Sequence, residues 1–343
     1  MTVISNTRVV RAKYVPKGEA FSNENFKTET VELDTQLNDG EILVRNLYLS
    51  LDPYIRYSFD PSGPRALPLG DTVGTFGIGE VFDSKNSAFP VKSVILGLLG
   101  LEQYTRISNV QGLIIIPDAR NPNIPLLEYT STLGVGGLSA YAAVKTLVPA
   151  FKKDQPVFIS SAAGSVGSFI GILAKRAGAF VIGSAGSDEK VNYLLNDLGF
   201  DAAFNYKTKD TRAELDAAAP QGIEIYFDQV GGETLDIALE KLKVNGLIVA
   251  IGSISTTSAK TPYVTKNLNL IIGKALTIKG FTGFQHLHRF PELWSDIGPL
   301  IANGEIPLQK ITAVKGLENT GQTFADFMEG KHHGKLVIEA GSL

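Results

Sequence analysis

The feature that most constrains the fold is a strand, a turn of small residues and the start of a helix, all within Pro156–Ser168. This segment reads PVFISSAAGSVGS, and the apolar residues after it recur at spacings of three and four, as in an amphipathic helix. A second apolar segment, Ala179–Ile182, follows that helix. Strand, helix and strand in this order predict a parallel βαβ unit, and therefore an α/β fold with a doubly wound parallel sheet.

The small residues of the turn also indicate a ligand. A turn such as AAGSVG lets a pyrophosphate approach the helix N-terminus, where free N–H groups and the helix dipole favour negative charge. Ala162 replaces the first glycine of the G-x-G-x-x-G pattern, and degenerate matches also occur where a helix merely packs closely on a strand. The strand and helix on either side favour the dinucleotide-binding interpretation.

The end of the second strand indicates which dinucleotide is bound. An NAD site usually has Asp or Glu there, which accepts hydrogen bonds from the ribose 2′-hydroxyl. This chain has GSAG at residues 183–186, and Ser187 and Lys190 follow. Taken alone, a lysine in a first helical turn is most simply a solvated side chain, although its charge opposes the helix dipole, which suggests an anionic partner. The sequence therefore predicts NADP(H), with its 2′-phosphate at this point.

Composition narrows the class of protein. The 343 residues are enough for two domains, and 44% hydrophobic with 20% charged residues is typical of a globular protein. A net charge of −3 gives no reason to expect nucleic acid or an anionic membrane as a partner. No apolar run reaches the roughly 18 residues of a membrane span, and the amino terminus lacks the apolar core of a secretory signal. We therefore expect a cytoplasmic enzyme.

Metal sites are poorly supported by the residues available. Cysteine is absent, which excludes disulfides, thiolate nucleophiles and zinc sites built on sulfur. The pair His286 and His288 has no clear carboxylate partner nearby, so a surface loop is favoured over a metal site. We expect no metal in the reaction.

The pattern along the chain predicts two domains. Residues 25–130 carry short β-rich segments, whereas residues 135–305 alternate strands with helices, one of which has an apolar face at Val191, Leu194, Leu195 and Leu198. The last forty residues predict a helix at Thr320–Met328 and a strand at Lys335–Glu339. We assign residues 1–134 and 305–343 to a β-rich domain and residues 135–304 to the dinucleotide-binding domain.

Several motifs, in order, resemble those of one family. They are LDPYIR at 51–56, GIGEV at 77–81, LGVGGLSAY at 133–141, AAGSVGS at 162–168, AGSDEK at 185–190, FNY at 204–206, YFDQVGG at 226–232 and AIGSIS at 250–255. The chain resembles the zinc-independent medium-chain dehydrogenases/reductases, in the branch of leukotriene B4 dehydrogenase/prostaglandin reductase and the alkenal double-bond reductases. The resemblance implies a GroES-like β-rich catalytic domain, a Rossmann domain that binds NADP(H), and a homodimer.

The resemblance also implies which residues contact the cofactor. The expected pyrophosphate ligands are Gly164, Ser165, Val166 and Gly167. The expected 2′-phosphate ligands are Lys190 and Tyr206, with Ser187 helping. The residues expected near the rest of the cofactor are Gln229, Gly252, Ser253, Ile254, Ser255, Phe281, Thr282, Gly283 and His332, where Gln229 and His332 replace residues that are usually Asn in the family.

Tyr54 matches a tyrosine beside the substrate in the reductases. The functional interpretation is a phenol that hydrogen-bonds the substrate carbonyl or the enolate formed after hydride transfer. The structural alternative is an aromatic ring packed behind Pro53. Relatives commonly have a second active-site tyrosine where this chain has Gly273, so the pocket wall differs, and Tyr263 is a candidate to compensate.

These observations predict a reaction. We expect NADPH-dependent reduction of the C=C bond of an α,β-unsaturated aldehyde or ketone, in which hydride adds to the β-carbon and charge collects on the carbonyl oxygen. Alcohol oxidation is poorly supported without a zinc ion to polarise the oxygen. The alternatives are a zinc-free NADPH quinone reductase and a non-catalytic NADPH-binding protein. The physiological substrate, the stereochemistry and the proton donor to the α-carbon stay open.

Overall fold

The computed structural model describes residues 3–117, 119–257 and 259–342. The chain forms two compact units, one of Met1–Gly134 with Lys310–Leu343 (unit 1) and one of Val135–Gln309 (unit 2). The strands are β1 (Val3–Arg11), β2 (Phe26–Asp34), β3 (Ile42–Leu51), β4 (Gly74–Ser84), β5 (Val94–Gly100), β6 (Tyr104–Ile107), β7 (Ile114–Ile115), β8 (Pro156–Ile159), β9 (Phe180–Ala185), β10 (Ala202–Asn205), β11 (Ile223–Asp228), β12 (Leu242–Ala250), β13 (Thr277–Gly280), β14 (Ile311–Lys315) and β15 (Lys335–Glu339). The α-helices are α1 (Val135–Leu147), α2 (Ser165–Arg176), α3 (Asp188–Asn192), α4 (Thr211–Ala218), α5 (Gly232–Lys241), α6 (Ile254–Thr257), α7 (Asn269–Gly273), α8 (Phe290–Ala302) and α9 (Thr320–Met328).

Unit 2 is built on a six-stranded parallel sheet. Its strand order is β10-β9-β8-β11-β12-β13, and every neighbouring pair is parallel. The chain starts in the middle at β8, winds to one edge through β9 and β10, and returns to wind to the other edge through β11, β12 and β13. The prediction of a doubly wound α/β fold is therefore confirmed. In such sheets ligands bind beyond the carboxyl ends of the strands where the winding reverses, here between β8 and β11.

The central strands of unit 2 are apolar because helices cover both faces of a parallel sheet. Phe158 on β8 and Tyr226 on β11 are fully buried, and their rings stack with centroids 5.0 Å apart. On α2 the core-facing residues predicted from the spacing of three and four include Phe169 and Ile170, both fully buried. This packing holds the turn between β8 and α2 in place.

The predicted apolar face at residues 191–198 is partly wrong. Helix α3 ends at Asn192 and continues as a π-helical turn over Tyr193–Asp197. A π-turn closes i→i+5 hydrogen bonds, and this shifts the register of the face. Leu194 and Leu198 are buried as expected, whereas Leu195 is 36% exposed and Tyr193, which was not predicted for this face, is buried.

Unit 1 is β-rich, with a two-stranded sheet of β1 and β2 and a larger sheet ordered β14-β15-β3-β4-β5-β7, in which β6 pairs with β3. Helix α9 and strand β15 have the bounds that the sequence predicted. Phe324 of α9 packs edge-on against Phe21, with centroids 4.9 Å apart, in a core that includes Phe59. Across the described ranges, the structure contains no helix with the length and apolar character of a bilayer span.

Candidate cofactor site and active-site tyrosine

The turn between β8 and α2 is shaped for an anion. Gly164 is the N-cap residue of α2, and no side chain caps this helix, so the backbone N–H groups of its first turn have no side-chain acceptor. The hydroxyl of Ser165 is buried and has no hydrogen-bond partner among the described residues. A buried hydroxyl without a partner is costly unless a ligand accepts its hydrogen bond. The residues present therefore fit a pyrophosphate at this turn.

Gly167 is required by close packing. A Cβ atom at this position would lie 2.7 Å from Nε2 of Gln229 and 2.8 Å from Cα of Ala162. The side chain of Gln229 in turn donates from Nε2 to the carbonyl oxygen of Ser160, at 2.8 Å. The structure thus brings Gln229 beside the glycine turn, which the sequence alone did not require.

The loop after β11 is held by a buried carboxylate that the sequence did not single out. Oδ1 of Asp228 accepts hydrogen bonds from the Tyr226 hydroxyl at 2.8 Å and from the backbone N–H of Gly231 at 2.7 Å. Burial raises the pKa of Asp228, and these hydrogen bonds partly offset that effect. The backbone N–H of Gln229 donates to the hydroxyl of Ser160 at 3.1 Å. The network fixes residues 228–231 against the end of β8.

The loop after β12 packs on the loop after β11. A Cβ atom on Gly252 would lie 3.0 Å from the carbonyl oxygen of Gln229, so glycine allows this contact. The hydroxyl of Ser255 donates to the carbonyl oxygen of Val230 at 2.6 Å. The predicted cofactor residues of this loop, which also include Ser253 and Ile254, therefore lie at the carboxyl end of the sheet near Gln229.

The segment after β13 belongs to the same end of the sheet. The N–H of Phe281 donates to the carbonyl oxygen of Ala250 at 2.9 Å, and the Phe281 ring stacks on His286 with centroids 4.8 Å apart. A Cβ atom on Gly283 would lie 2.1 Å from the hydroxyl of Ser139 on α1, so a larger residue would require this hydroxyl to move. His286 is thus a stacking partner, and within the described ranges no group of three or more His, Cys, Asp or Glu side chains is arranged to hold a metal.

The predicted 2′-phosphate residues meet beyond the carboxyl ends of β9 and β10. The hydroxyl of Ser187 caps α3 and accepts the backbone N–H of Lys190 at 3.3 Å. Tyr206 follows β10, and its hydroxyl lies 3.2 Å from the Cβ position of Gly186. The pKa of Lys190 is lowered, first by burial and then by the positive charge of Lys207. The structure therefore brings together the three predicted residues and adds Lys207.

Tyr54 lies in a short 3-10 helix of unit 1, Pro53–Ser58. Its hydroxyl accepts the backbone N–H of Phe76 at 2.9 Å and shares a hydrogen bond of 3.0 Å with Oγ1 of Thr75. Thr75 donates its own proton to the carbonyl oxygen of Ser50, at 2.5 Å, so Tyr54 is the donor in the bond with Thr75. Burial, and then the charge of Asp52, raises the pKa of Tyr54. The phenol is therefore protonated at neutral pH.

A buried ion pair supports the segment that carries Tyr54. Nζ of Lys335 lies 2.5 Å from Oδ1 of Asp52, and the side chain of Lys335 is only 3% exposed. The hydroxyl of Ser50 donates to the other carboxylate oxygen of Asp52. Because Lys335 and Asp52 are 283 residues apart in the chain, only the fold brings them together. The pair ties β15 to the start of the Tyr54 segment.

Three further positions were singled out from the sequence, namely Gly273, Tyr263 and His332. Gly273 ends α7, and a Cβ atom there would meet nothing within 4 Å, so the position has room for a larger side chain. The hydroxyl of Tyr263 donates a hydrogen bond to Oδ2 of Asp236 at 2.9 Å, and Asp236 belongs to helix α5. His332 lies in unit 1 between α9 and β15, and its role toward the cofactor stays a prediction.

The chain matches two family models. Residues 8–116 match the model described as the N-terminal domain of oxidoreductase, and residues 165–298 match the model described as zinc-binding dehydrogenase. The first match lies in unit 1 and the second in unit 2. The chain has no cysteine that could supply a sulfur ligand to zinc.

Individual proteins resemble the chain over nearly its whole length. A 2-alkenal reductase (NADP(+)-dependent) of Nicotiana tabacum is 34% identical over 98% of this chain and 97% of its own. Prostaglandin reductase 1 of Rattus norvegicus is 36% identical over 93% of this chain and 95% of its own. The crystal structure of CurA in complex with NADPH from Vibrio vulnificus has a TM-score of 0.87 at 28% identity and covers 98% of this chain and 100% of that one.

Proposed function

The chain belongs to the zinc-independent medium-chain dehydrogenases/reductases, in the branch of the alkenal and prostaglandin reductases, and on this premise we propose that it reduces C=C bonds with NADPH. The substrates are α,β-unsaturated aldehydes or ketones, and the product keeps its carbonyl group. The name of the tobacco relative supports both the cofactor and the substrate class. Among the chain's own residues, two features support the proposal. One is the uncapped turn at the start of α2, and the other is the pair Lys190 and Lys207 beyond β9 and β10.

Unit 2 holds the cofactor. The backbone of Gly164–Gly167 and the unpaired hydroxyl of Ser165 bind the pyrophosphate, and the loops at Gln229 and Gly252–Ser255 line the part toward the nicotinamide. Bound NADPH supplies the hydride. Lys190 and Tyr206 bind the 2′-phosphate, and Ser187 can donate to it because a hydroxyl that accepts one hydrogen bond still carries its own proton.

Tyr54 stabilises the substrate oxygen on which negative charge develops. Its raised pKa keeps the phenol protonated, which a hydrogen-bond donor requires. To donate to the substrate, it exchanges its hydrogen bond with Thr75 for one with the carbonyl oxygen, while the N–H of Phe76 continues to hold the phenol oxygen. A positioned donor of this kind contributes about 3 kcal/mol to stabilising the transition state.

The experiment is a comparison of Tyr54→Phe with the parent on a simple alkenal, a quinone and a saturated aldehyde, followed by NADPH consumption. We expect the parent to act on the alkenal and the variant to lose about 100-fold in kcat with a smaller change in KM. Tyr57→Phe is the matched control, because Tyr57 is an exposed neighbour in the same 3-10 helix.

An unchanged kcat in Tyr54→Phe would leave only the packing role against the ring of Phe76. Faster turnover of the quinone than of the alkenal would favour the quinone reductase, and binding without turnover would favour a non-catalytic protein.

We also propose a homodimer that forms along strand β13. This strand is at the edge of the unit 2 sheet and all four of its residues are exposed. Nearby, Ile272 is 87% exposed and Ile278 is 44% exposed, so an apolar surface accompanies the open edge. Exposed edges of this kind are covered in native proteins, and a second copy can add its own β13. Light scattering should give the mass of two chains for the parent and of one for Ile278→Lys, whereas a monomeric parent would contradict the proposal.

The cytoplasmic location stays a prediction.

A further inference from the structure

The 2′-phosphate segment carries a second lysine that the sequence patterns did not single out. Lys207 directly follows Tyr206 in the loop after β10, and both side chains are exposed. A Cβ atom on Gly186 would lie 3.2 Å from the hydroxyl of Tyr206 and 3.4 Å from Cε of Lys207. The two side chains therefore extend over the same glycine, at the end of β9, where the absence of a Cβ leaves space.

The backbone of Lys207 is fixed, whereas its charge is not neutralised. The side chain of Asn205 accepts the Lys207 backbone N–H at 3.1 Å and donates to Asp188 at 2.8 Å. The carboxylate of Asp188 is thus bound by an amide rather than by a lysine. Within the part of the chain that the structure describes, Nζ of Lys207 forms no hydrogen bond or ion pair.

Lys190 lies four residues after Gly186, the glycine over which the side chain of Lys207 extends. The pKa of Lys190 is lowered, first by burial and then by the positive charge of Lys207, so the charged form of Lys190 is less favourable here than in water. An anion placed between the two lysines removes this repulsion. A phosphate monoester has close to two negative charges at neutral pH and three acceptor oxygens, enough for two lysines.

We propose that Lys207 is a second ligand of the 2′-phosphate and that, together with Lys190, it determines the preference for NADP(H) over NAD(H). The inference deepens the proposed function, since it concerns the cofactor of that reaction. Tyr206, whose hydroxyl lies 3.2 Å from the Cβ position of Gly186, contacts the same phosphate in this proposal.

The test is calorimetric binding of 2′,5′-ADP and of 5′-AMP, which lacks only the 2′-phosphate, to the full chain. We expect Lys207→Ala to weaken binding of 2′,5′-ADP about five- to tenfold, since the contact is charge-assisted but solvent-exposed. Binding of 5′-AMP should change less than about twofold, and Lys207→Arg should keep most of the affinity. Lys209→Ala is the matched control, because Lys209 is an exposed lysine two residues further along the same loop.

Two results would overturn the inference. One is an equal loss of 2′,5′-ADP affinity in Lys207→Ala and Lys209→Ala, which would show only the effect of net charge. The other is an unchanged affinity for 2′,5′-ADP in Lys207→Ala. Either result leaves the reduction of alkenals by NADPH untouched, because that activity is measured separately with the parent. Conversely, selective loss of 2′,5′-ADP binding in Lys207→Ala supports the inference even if no alkenal is turned over.

Discussion

Glu128 provides a quantitative prediction about stability. Its side chain is 2% exposed, lies in the 3-10 helix Leu126–Thr130 of unit 1, and has Oε2 without a hydrogen-bond partner among the described residues. Burial raises the pKa of Glu128 from 4.5 to about 7, an effect that contacts with Thr132 only partly offset. At about 1.36 kcal/mol per pKa unit, this difference corresponds to about 3 kcal/mol.

The sign follows from proton linkage. Between pH 4.5 and about 7 the folded protein binds more protons at Glu128 than the unfolded chain does. The stabilisation from a neutral Glu128 is therefore fully present below pH 4.5 and is lost as the pH rises through about 7. Glu128→Gln cannot ionise, so the variant should gain stability relative to the parent as the pH rises. The gain between pH 5 and pH 8 should be about 2–3 kcal/mol.

The assay is chemical denaturation of the parent and of Glu128→Gln at several pH values from 5 to 8. Taking the difference between the two proteins removes the contributions of groups distant from Glu128. Glu24→Gln is the control and should show no pH dependence in this range, because a hydrogen bond from Lys13 lowers the pKa of the exposed Glu24 carboxylate below 4.5, so it is ionised in both the folded and the unfolded state. A difference between Glu128→Gln and the parent that does not vary with pH would refute the reasoning.

Three further predictions concern the cofactor turn, its specificity and the ion pair. Lys190→Ala should raise the KM for NADPH about tenfold or more and leave NADH use nearly unchanged, in steady-state kinetics with both cofactors; equal losses would count against the 2′-phosphate assignment. Gly167→Ala should weaken NADPH binding in a fluorescence titration, since its Cβ would lie 2.8 Å from backbone at Ala162; wild-type affinity would show that the turn can shift. Lys335→Met should destabilise the protein by about 3 kcal/mol in denaturation, and Asp52→Asn in the same chain should restore part of this loss; no destabilisation would mean that the buried pair is not formed in solution.

Much of unit 2 was predictable because its signals are local. The apolar strands, the small-residue turn and the periodic helix give the order of elements, and the parallel sheet follows from their alternation. The helix at Thr320–Met328 and the strand at Lys335–Glu339 were also predicted at their observed bounds. The apolar face at residues 191–198 was predicted only in part, because the π-helical turn at Tyr193–Asp197 has no clear periodic signal in the sequence.

The contacts that complete the candidate site could not be predicted from the sequence, for a different reason. The pair of Asp52 and Lys335 joins opposite ends of the chain, and the hydrogen bond from Tyr54 to Thr75 depends on how β4 lies beside the 3-10 helix. A sequence pattern identifies residue types but not which distant side chains meet. Lys207 had a usable signal, since it follows the predicted Tyr206, but its orientation over Gly186 required the structure.

The most direct test of the proposed reaction is to find which carbon receives the hydride. The chain is given an alkenal and NADPH that carries deuterium at the transferable position, and the product is examined by NMR. We predict a saturated aldehyde with deuterium on the β-carbon, because charge then collects on the oxygen that Tyr54 can bond. An unsaturated alcohol with deuterium on the former carbonyl carbon would contradict the account.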